Sequence, residues 1–483
     1  MDNQLKLQFA LHRRTFLEKS STGMGAFALA SLLGSMQSAS ADSANELQVP
    51  GAMKRLHFAP KAKRIIYLFM SGAPSQLDLY DPKPKLTEMM GKDLPDSVRK
   101  GQRITTMTSG QKNLLCVGTP FKFKKYGAAG MDLSELLPNL SKVVDECTFV
   151  RSLNTDPINH DPAVTFFATG NQQPGRPTMG AWLAYGMGCD NSDLPSFVVL
   201  TSGGGGQTLQ TRYWGNGFLP AQYGGVQFRN AGDPVLFVSN PPGVSGDTRR
   251  QLLDSTNELN RLALGNLGDP AIAAQIENYE LAFRMQSSVP ELTDLSQESA
   301  ETLELYGATP GKPSFANNCL LARRLAERGV RFIQLCHRDW DHHGGLPGGL
   351  PVKCKETDQG AAALVQDLKR RGLLDDTIVV WGGEFGRTAY SQGEIKPDNF
   401  GRDHHPRCFT IWMAGGGLKR GFVYGETDEF GYNITRDPVH VHDLHATLLH
   451  QLGVDHKKLI YRHEGRDYRL TDVAGNVVHD VIG

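Results

Sequence analysis

The chain has no surplus of charge. Its 51 basic and 51 acidic residues cancel to a formal net charge of zero. That balance gives no footing for nucleic acid or an anionic membrane as partner. The seven cysteines are scattered, odd in number and contain no CxxC. A disulfide framework is therefore not expected, and buried thiols are. Internal repeats and low-complexity tracts are absent. Beyond the N-terminal 41 residues, no stretch is long and apolar enough to span a bilayer core of ~30 Å. What is present is a hydrophobic fraction of 40% and a charged fraction of 21%, ordinary for a globular protein. The 53 glycines and 26 prolines point to long shaped loops rather than a helical bundle. At 483 residues the chain is long for one compact core and short for three domains.

The first 41 residues are read as an export segment. Arg13 and Arg14 are followed by Phe16 and Leu17, then by a short apolar stretch from Met24 to Leu33. "ASA" at 39–41 offers a signal-peptidase site, with cleavage before Asp42. This pattern resembles a twin-arginine signal and predicts a periplasmic or otherwise extracytoplasmic protein that meets the twin-arginine export machinery. His12 and Glu18 depart from the usual flanks. The apolar stretch is too short and glycine-rich for a stable membrane span after cleavage. Residues 42–60 read as a linker, and 61–483 as a single domain with a loop-rich and helical insertion around 202–328.

Within that domain the apolar runs 65–70, 147–153, 196–201, 330–337, 376–384 and 407–417 read as strands. Helical patterning is expected over 132–146, 162–169, 178–188, 249–264, 271–286, 317–329, 360–374 and 441–453. Strands alternating with helices predict an α/β fold: a mainly parallel central sheet with helices on both faces. Ligands bind such sheets beyond the carboxyl ends of the strands.

Ionisable residues crowd at those ends. The first strand delivers Asp78. "CHRDWDHHGG" delivers Asp339, Asp341, His342 and His343. "WGGEFGRT" delivers Glu384 and Arg387, and "GRDHHP" adds Asp403, His404 and His405. Carboxylate and imidazole without thiolate is a ligand set for Zn, Mn, Ca or Mg. Each element also has a plainer reading. Asp78 and Asp81 equally suit caps of a turn or helix. Glu384 could pair with Arg387. His442 and His445, one helical turn apart, suit a helix face better than a ligand pair. Convergence on several strand ends favours a divalent-metal site.

"GLLDDTIVVWGGEFGRT" and "HDLHATLLHQLGV" resemble the alkaline phosphatase and sulfatase superfamily. "SGAPSQLDLYDPKP", "WDHHGG", "GGEFGRT" and "GRDHHP" narrow the resemblance to a twin-arginine-exported, sulfatase-like bacterial family within it. That resemblance implies the superfamily's fold over nearly all of 61–483. It also implies metal-binding roles for Asp78, Asp341, His343, Glu384 and His404, with Glu384 in place of the usual aspartate. Aligning "NHDPAVTFFATG" with the sulfatase nucleophile segment puts His160 in the nucleophile slot. Without a nearby cysteine, formylglycine chemistry is not supported. His160 is then a nucleophile, a general acid or a ligand, and Thr165 a poorly placed hydroxyl. Arg387 would bind the anion through its planar fork.

Two functions follow as expectations. One is an exported metal-dependent hydrolase of phosphate or sulfate esters, acting on a small molecule or glycan. The alternative is a non-catalytic, metal-stabilised protein that binds a glycan or protein partner through its glycine-rich loops at 202–246.

Overall fold

A computed structural model of the chain describes residues 48–205, 209–229, 233–236, 239–396 and 398–483. The arginine pair and apolar stretch of the expected signal lie outside them. Val49–Gly483 forms one compact unit.

Among the described residues, a nine-stranded sheet contains β1 (Arg64–Met70), β2 (Cys147–Asn154), β3 (Phe197–Ser202), β4 (Val226–Phe228), β5 (Phe332–His337), β6 (Thr377–Gly382), β7 (Phe409–Ala414), β8 (Phe422–Tyr424) and β9 (Val439–His440). Its order is β8-β2-β7-β6-β1-β5-β3-β4, with β9 also paired to β2. The longer helices are α1 (His160–Thr169), α2 (Met179–Met187), α3 (Gly246–Leu267), α4 (Pro270–Thr293), α5 (Phe315–Glu327), α6 (Leu346–Arg370) and α7 (Val441–Gln451).

The central strand β1 shows why the apolar runs pair in parallel. Ile65 to Met70 are buried throughout. Ile66, Leu68 and Met70 share a core with Leu320 of α5 and Leu364 of α6. On the opposite face, Tyr67 stacks on Phe167 of α1, ring centroids 5.6 Å apart. Helices on both faces remove all water from the strand, so both side-chain rows are apolar.

β1, β3, β5 and β6 are mutually parallel and their ends align. Met70 and Ser202 both pair with His337, and Phe69 pairs with Gly382. One edge therefore collects the segments after β1, β3, β5 and β6. β7 is antiparallel to β2 and β6. After β6 the chain returns through a two-stranded hairpin, Gly386–Ser391 with Arg402–His405, instead of a crossover helix. A strand reached without a crossover must reverse direction.

Three segments differ from the patterning. Residues 132–146 are not helical: Met131–Ser134 pairs with Phe123–Tyr126, and short 3-10 turns follow. Pro138, which cannot donate to a helix ladder, sits mid-segment. α6 begins at Leu346, well before 360, and contains Pro351. The expected linker is held onto the domain from Gly51 onward. Gly51 N donates to Met187 O and His57 N to Gly453 O, at 3.0 and 2.9 Å. No helix among the described residues is long and apolar enough to cross a membrane.

Candidate metal centre

Four side chains from three parts of the chain converge at this edge: His160, Asp341, His343 and His404. One ligand atom from each lies within 4.8 Å of all the others. His160 opens α1, beyond the end of β2. Asp341 and His343 follow β5 through a turn in which Asp339 adopts φ of 80°. His404 lies on the hairpin strand, opposite Arg387. Gly72, just after β1, lets the Asp341 backbone approach. A Cβ there would lie 2.7 Å from Asp341 N, and its φ of 108° disfavours any side chain.

Each imidazole is anchored by Nδ1. His404 Nδ1 lies 2.8 Å from the Ile158 carbonyl oxygen. A carbonyl only accepts, so Nδ1 carries the proton and Nε2 the lone pair. His160 Nδ1 donates to Glu384 Oε1 at 2.5 Å, and His343 Nδ1 donates to Gln392 Oε1. All three Nε2 atoms turn inward. His343 Nε2 is 3.0 Å from His404 Nε2 and 2.8 Å from Asp341 Oδ1. His160 Nε2 is buried with no hydrogen-bond partner, 3.2 Å from Asp341 Oδ2. His404 Nε2 is 3.7 Å from Asp341 Oδ1.

Inward lone pairs at such distances repel unless positive charge lies between them. A proton supplies part of it. Burial lowers the His160 pKa, but the carboxylates of Asp341 and Glu384 outweigh burial and raise it above the ordinary imidazole value. Burial raises the Asp341 carboxyl, yet the three imidazoles and the Arg387 charge hold it well below the usual carboxylate range. Burial takes His404 the other way, to about 4. One proton between His160 Nε2 and Asp341 Oδ2 leaves the facing His343–His404 pair uncompensated. A cation compensates both. Tetrahedral donors at ordinary zinc distances are roughly 3.4 Å apart; the shorter separations here run from 2.8 to 3.7 Å, and the whole set lies within 4.8 Å. Outer acceptors on every Nδ1 are the arrangement that orients metal-binding histidines. Phe385 forms a floor, its ring centroid 4.8 Å from His160 and 4.6 Å from His404.

Several expected ligands stand elsewhere. Asp78 is fully buried in an ion pair with Arg402 Nε at 2.8 Å and accepts from Ser75 Oγ at 2.5 Å. Its oxygens are turned to that guanidinium, so Asp78 is not part of the cluster. Glu384 stands one shell further out, holding His160 and accepting from Gly72 N at 3.1 Å. Arg387 is not a free anion-binding fork. Its guanidinium donates to the carbonyls of Ala73, Arg402 and Gly72, and to Asp341 Oδ1 at 2.6 Å. Thr165 donates to the Asp161 carbonyl within α1, so its hydroxyl is a helix contact. Asp403 is occupied by Thr105 and Thr108, and His405 by the Tyr432 carbonyl. His442 and His445 donate to the carbonyls of Gly170 and Phe167. Gln392 and the Ile158 carbonyl carry no signal in the sequence; an imidazole's outer acceptor is visible only in three dimensions.

Fold and cluster together define an α/β protein with a candidate cation site of three imidazoles and one carboxylate at the ligand-binding edge of its sheet. The chain belongs to the family described as "Protein of unknown function (DUF1501)", which matches residues 62–482. No curated protein matches it by sequence. Among solved structures it is similar to an alkaline phosphatase superfamily protein from Vibrio parahaemolyticus, with 12% identity over 86% of this chain and 74% of that one, TM-score 0.34. It is also similar to the lipoteichoic acid synthase LtaP from Listeria monocytogenes, with 10% identity over 88% and 79%, TM-score 0.33. The PsFucS1 sulfatase from Pseudoalteromonas sp. is 13% identical over 82% and 68%, TM-score 0.32. At these values the likeness is one of coarse chain course.

Proposed function

We propose that this protein is an exported, metal-dependent hydrolase of phosphate or sulfate esters, acting on an anionic small molecule or glycan outside the cytoplasm. The observation that carries the reading is the inward-facing set of three Nε2 atoms and the Asp341 carboxylate. The set lies where parallel sheets bind ligands. Nitrogen-rich donors suit Zn better than Mn, Ca or Mg, which prefer oxygen. A divalent cation held there supplies Lewis acidity toward an ester oxygen.

The chain's own groups set up that chemistry. Glu384 accepts the Nδ1 proton of His160 and makes its Nε2 a stronger donor. Arg387 pins Oδ1 of Asp341, which leaves Oδ2 toward His160. The Asp341 and His343 side chains are 21% and 24% exposed, so substrate approaches from their side. His160 serves as ligand in this reading and not as nucleophile, because both its nitrogens are committed. Export rests on Arg13, Arg14 and the apolar stretch behind them.

One observation favours the second reading, a metal-stabilised binding protein. Four protein donors would fill a structural zinc site, whereas catalytic zinc sites keep a position open. Assay of the purified protein on a panel of phosphate and sulfate esters separates the two. The hydrolase reading expects turnover that a chelator removes and Zn restores. Stoichiometric metal without turnover of any ester assigns the protein to the second reading.

A further inference from the structure

A second constellation stands on the same sheet edge, away from the cluster. A cavity of about 800 Å³ opens at the ends of β3 and β5, and none of the four metal-site residues lines it. Its wall includes Ser202, the last residue of β3, and His337, the last residue of β5. These residues are register partners. Ser202 Oγ lies 3.0 Å from His337 Nδ1, and His337 Nε2 lies 2.9 Å from Glu356 Oε2. Glu356, on α6, also lines the cavity and is held by Lys353 Nζ at 2.8 Å.

We propose that Ser202, His337 and Glu356 form a nucleophile–base–carboxylate relay that hydrolyses carboxylic esters bound in this cavity. The plainer account, a core histidine satisfied by two neighbours, leaves three features unused. Ser202 is half-exposed to a cavity of ligand size. His337 is buried, and burial lowers its pKa despite Glu356, so the ring is neutral and able to accept a proton. The next residue is Gly203, φ 79°, where a Cβ would meet Arg338 N at 2.9 Å. The backbone after Ser202 therefore packs directly against the chain leaving His337, which keeps the hydroxyl and the imidazole at a fixed separation. The pairing fixes the tautomer. Nε2–H donates to the Glu356 carboxylate, and the Nδ1 lone pair accepts from the Ser202 hydroxyl.

The steps balance with water as the only co-reactant. Ser202 Oγ adds to the ester carbonyl carbon while its proton passes to His337 Nδ1. Collapse breaks the bond from the acyl carbon to the alcohol oxygen, and the departing alkoxide takes that proton. Water then attacks the acyl-serine ester, giving a proton to His337. The acid leaves, and the proton returns to Ser202 Oγ. Arg338 and Lys355 on the cavity wall suit an ester that also carries negative charge, and Trp214 and Phe315 suit an apolar or sugar face.

The test uses the full exported chain, a fluorophosphonate probe and p-nitrophenyl butyrate, each with and without chelator. Expected is one covalent adduct, mapped by mass spectrometry to the peptide holding Ser202, that persists in chelator. Butyrate hydrolysis should fall about a hundredfold or more in Ser202→Ala and in His337→Gln. Glu356→Gln, on the exposed side of α6, keeps the test meaningful if His337→Gln fails to fold. It should lower the labelling rate while leaving the thermal melt in place. No adduct at Ser202, or unchanged hydrolysis in folded Ser202→Ala, overturns the relay. So does an adduct that disappears with chelator, because that chemistry belongs to the metal centre. Loss of phosphate or sulfate ester turnover leaves these readouts untouched, so the two assignments fail separately.

Discussion

Two groups of histidines share this fold and differ in where their ring nitrogens point. In His160, His343 and His404, Nδ1 donates outward and Nε2 faces other lone pairs. In His405, His442 and His445, Nε2 ends on a backbone carbonyl at 2.8 to 2.9 Å. Residue type is the same, and five of the six are buried, His343 being half-buried. The first, open group converges on a common point with a carboxylate. In the second, closed group a backbone carbonyl holds one nitrogen of each ring, and His445 Nδ1, though buried without a partner, belongs to no such cluster among the described residues. Burial of an imidazole, or one unpartnered nitrogen, therefore says little about ligation; convergence of several such nitrogens with a carboxylate decides it. The carboxylates divide the same way, with Asp341 facing the open point and Asp78 closed by Arg402.

Breaking a closed group should cost stability and spare metal. Asp78→Asn leaves the Arg402 guanidinium buried without its counter-charge, which should destabilise the fold by about 3–5 kcal/mol. Denaturant melts measure the loss, and metal content of the folded fraction should not change. Loss of metal from well-folded Asp78→Asn would put Asp78 back among the ligands.

Acid should act on the closed histidines next. Burial lowers His405 to about 4 and His445 to about 3, from an ordinary value near 6.5. Below about pH 6.5 the unfolded chain takes up protons that the native chain refuses. Stability is therefore full above 6.5 and falls as pH drops toward 4. The loss is on the order of a few kcal/mol. Urea midpoints across that window should decline, and His405→Gln should flatten the slope. A level profile contradicts the closed assignment.

Glu384→Gln should have the smallest effect. The amide keeps the volume but loses the charge that makes His160 a strong donor. Metal affinity should weaken about 10- to 100-fold, read by competition with a chromophoric chelator, with metal still bound at saturation. Complete loss would mean that Glu384 itself is a ligand.

The sequence made the open group partly legible. Asp341 and His343 follow an apolar run closely enough for the strand-end rule to place them, and their i, i+2 spacing puts both side chains on one side of the turn. His404 was visible because it precedes another strand. What separated Asp78 from Asp341 was a partner, Arg402, 324 residues away, and no local pattern encodes so distant a contact. Glu384 stands at the same sheet edge but holds His160 Nδ1, because a strand end fixes a backbone position and not the reach of its oxygens. The fold followed similar limits. Continuous apolar runs marked the buried parallel strands. The reversal of β7 depended on a hairpin whose strands, Gly386–Ser391 and Arg402–His405, are fully buried yet rich in polar residues. The false helix over 132–146 came from apolar spacing that a β-hairpin and short turns satisfy equally well.

The most direct test of the account is elemental analysis of the purified, folded protein beside Asp341→Ala and His445→Gln. The account predicts about one zinc per chain in the natural protein. It predicts none in Asp341→Ala and an unchanged content in folded His445→Gln. A natural protein without bound divalent metal after zinc and manganese loading, or an Asp341→Ala variant that keeps it, would contradict the claim that these four side chains form a cation site.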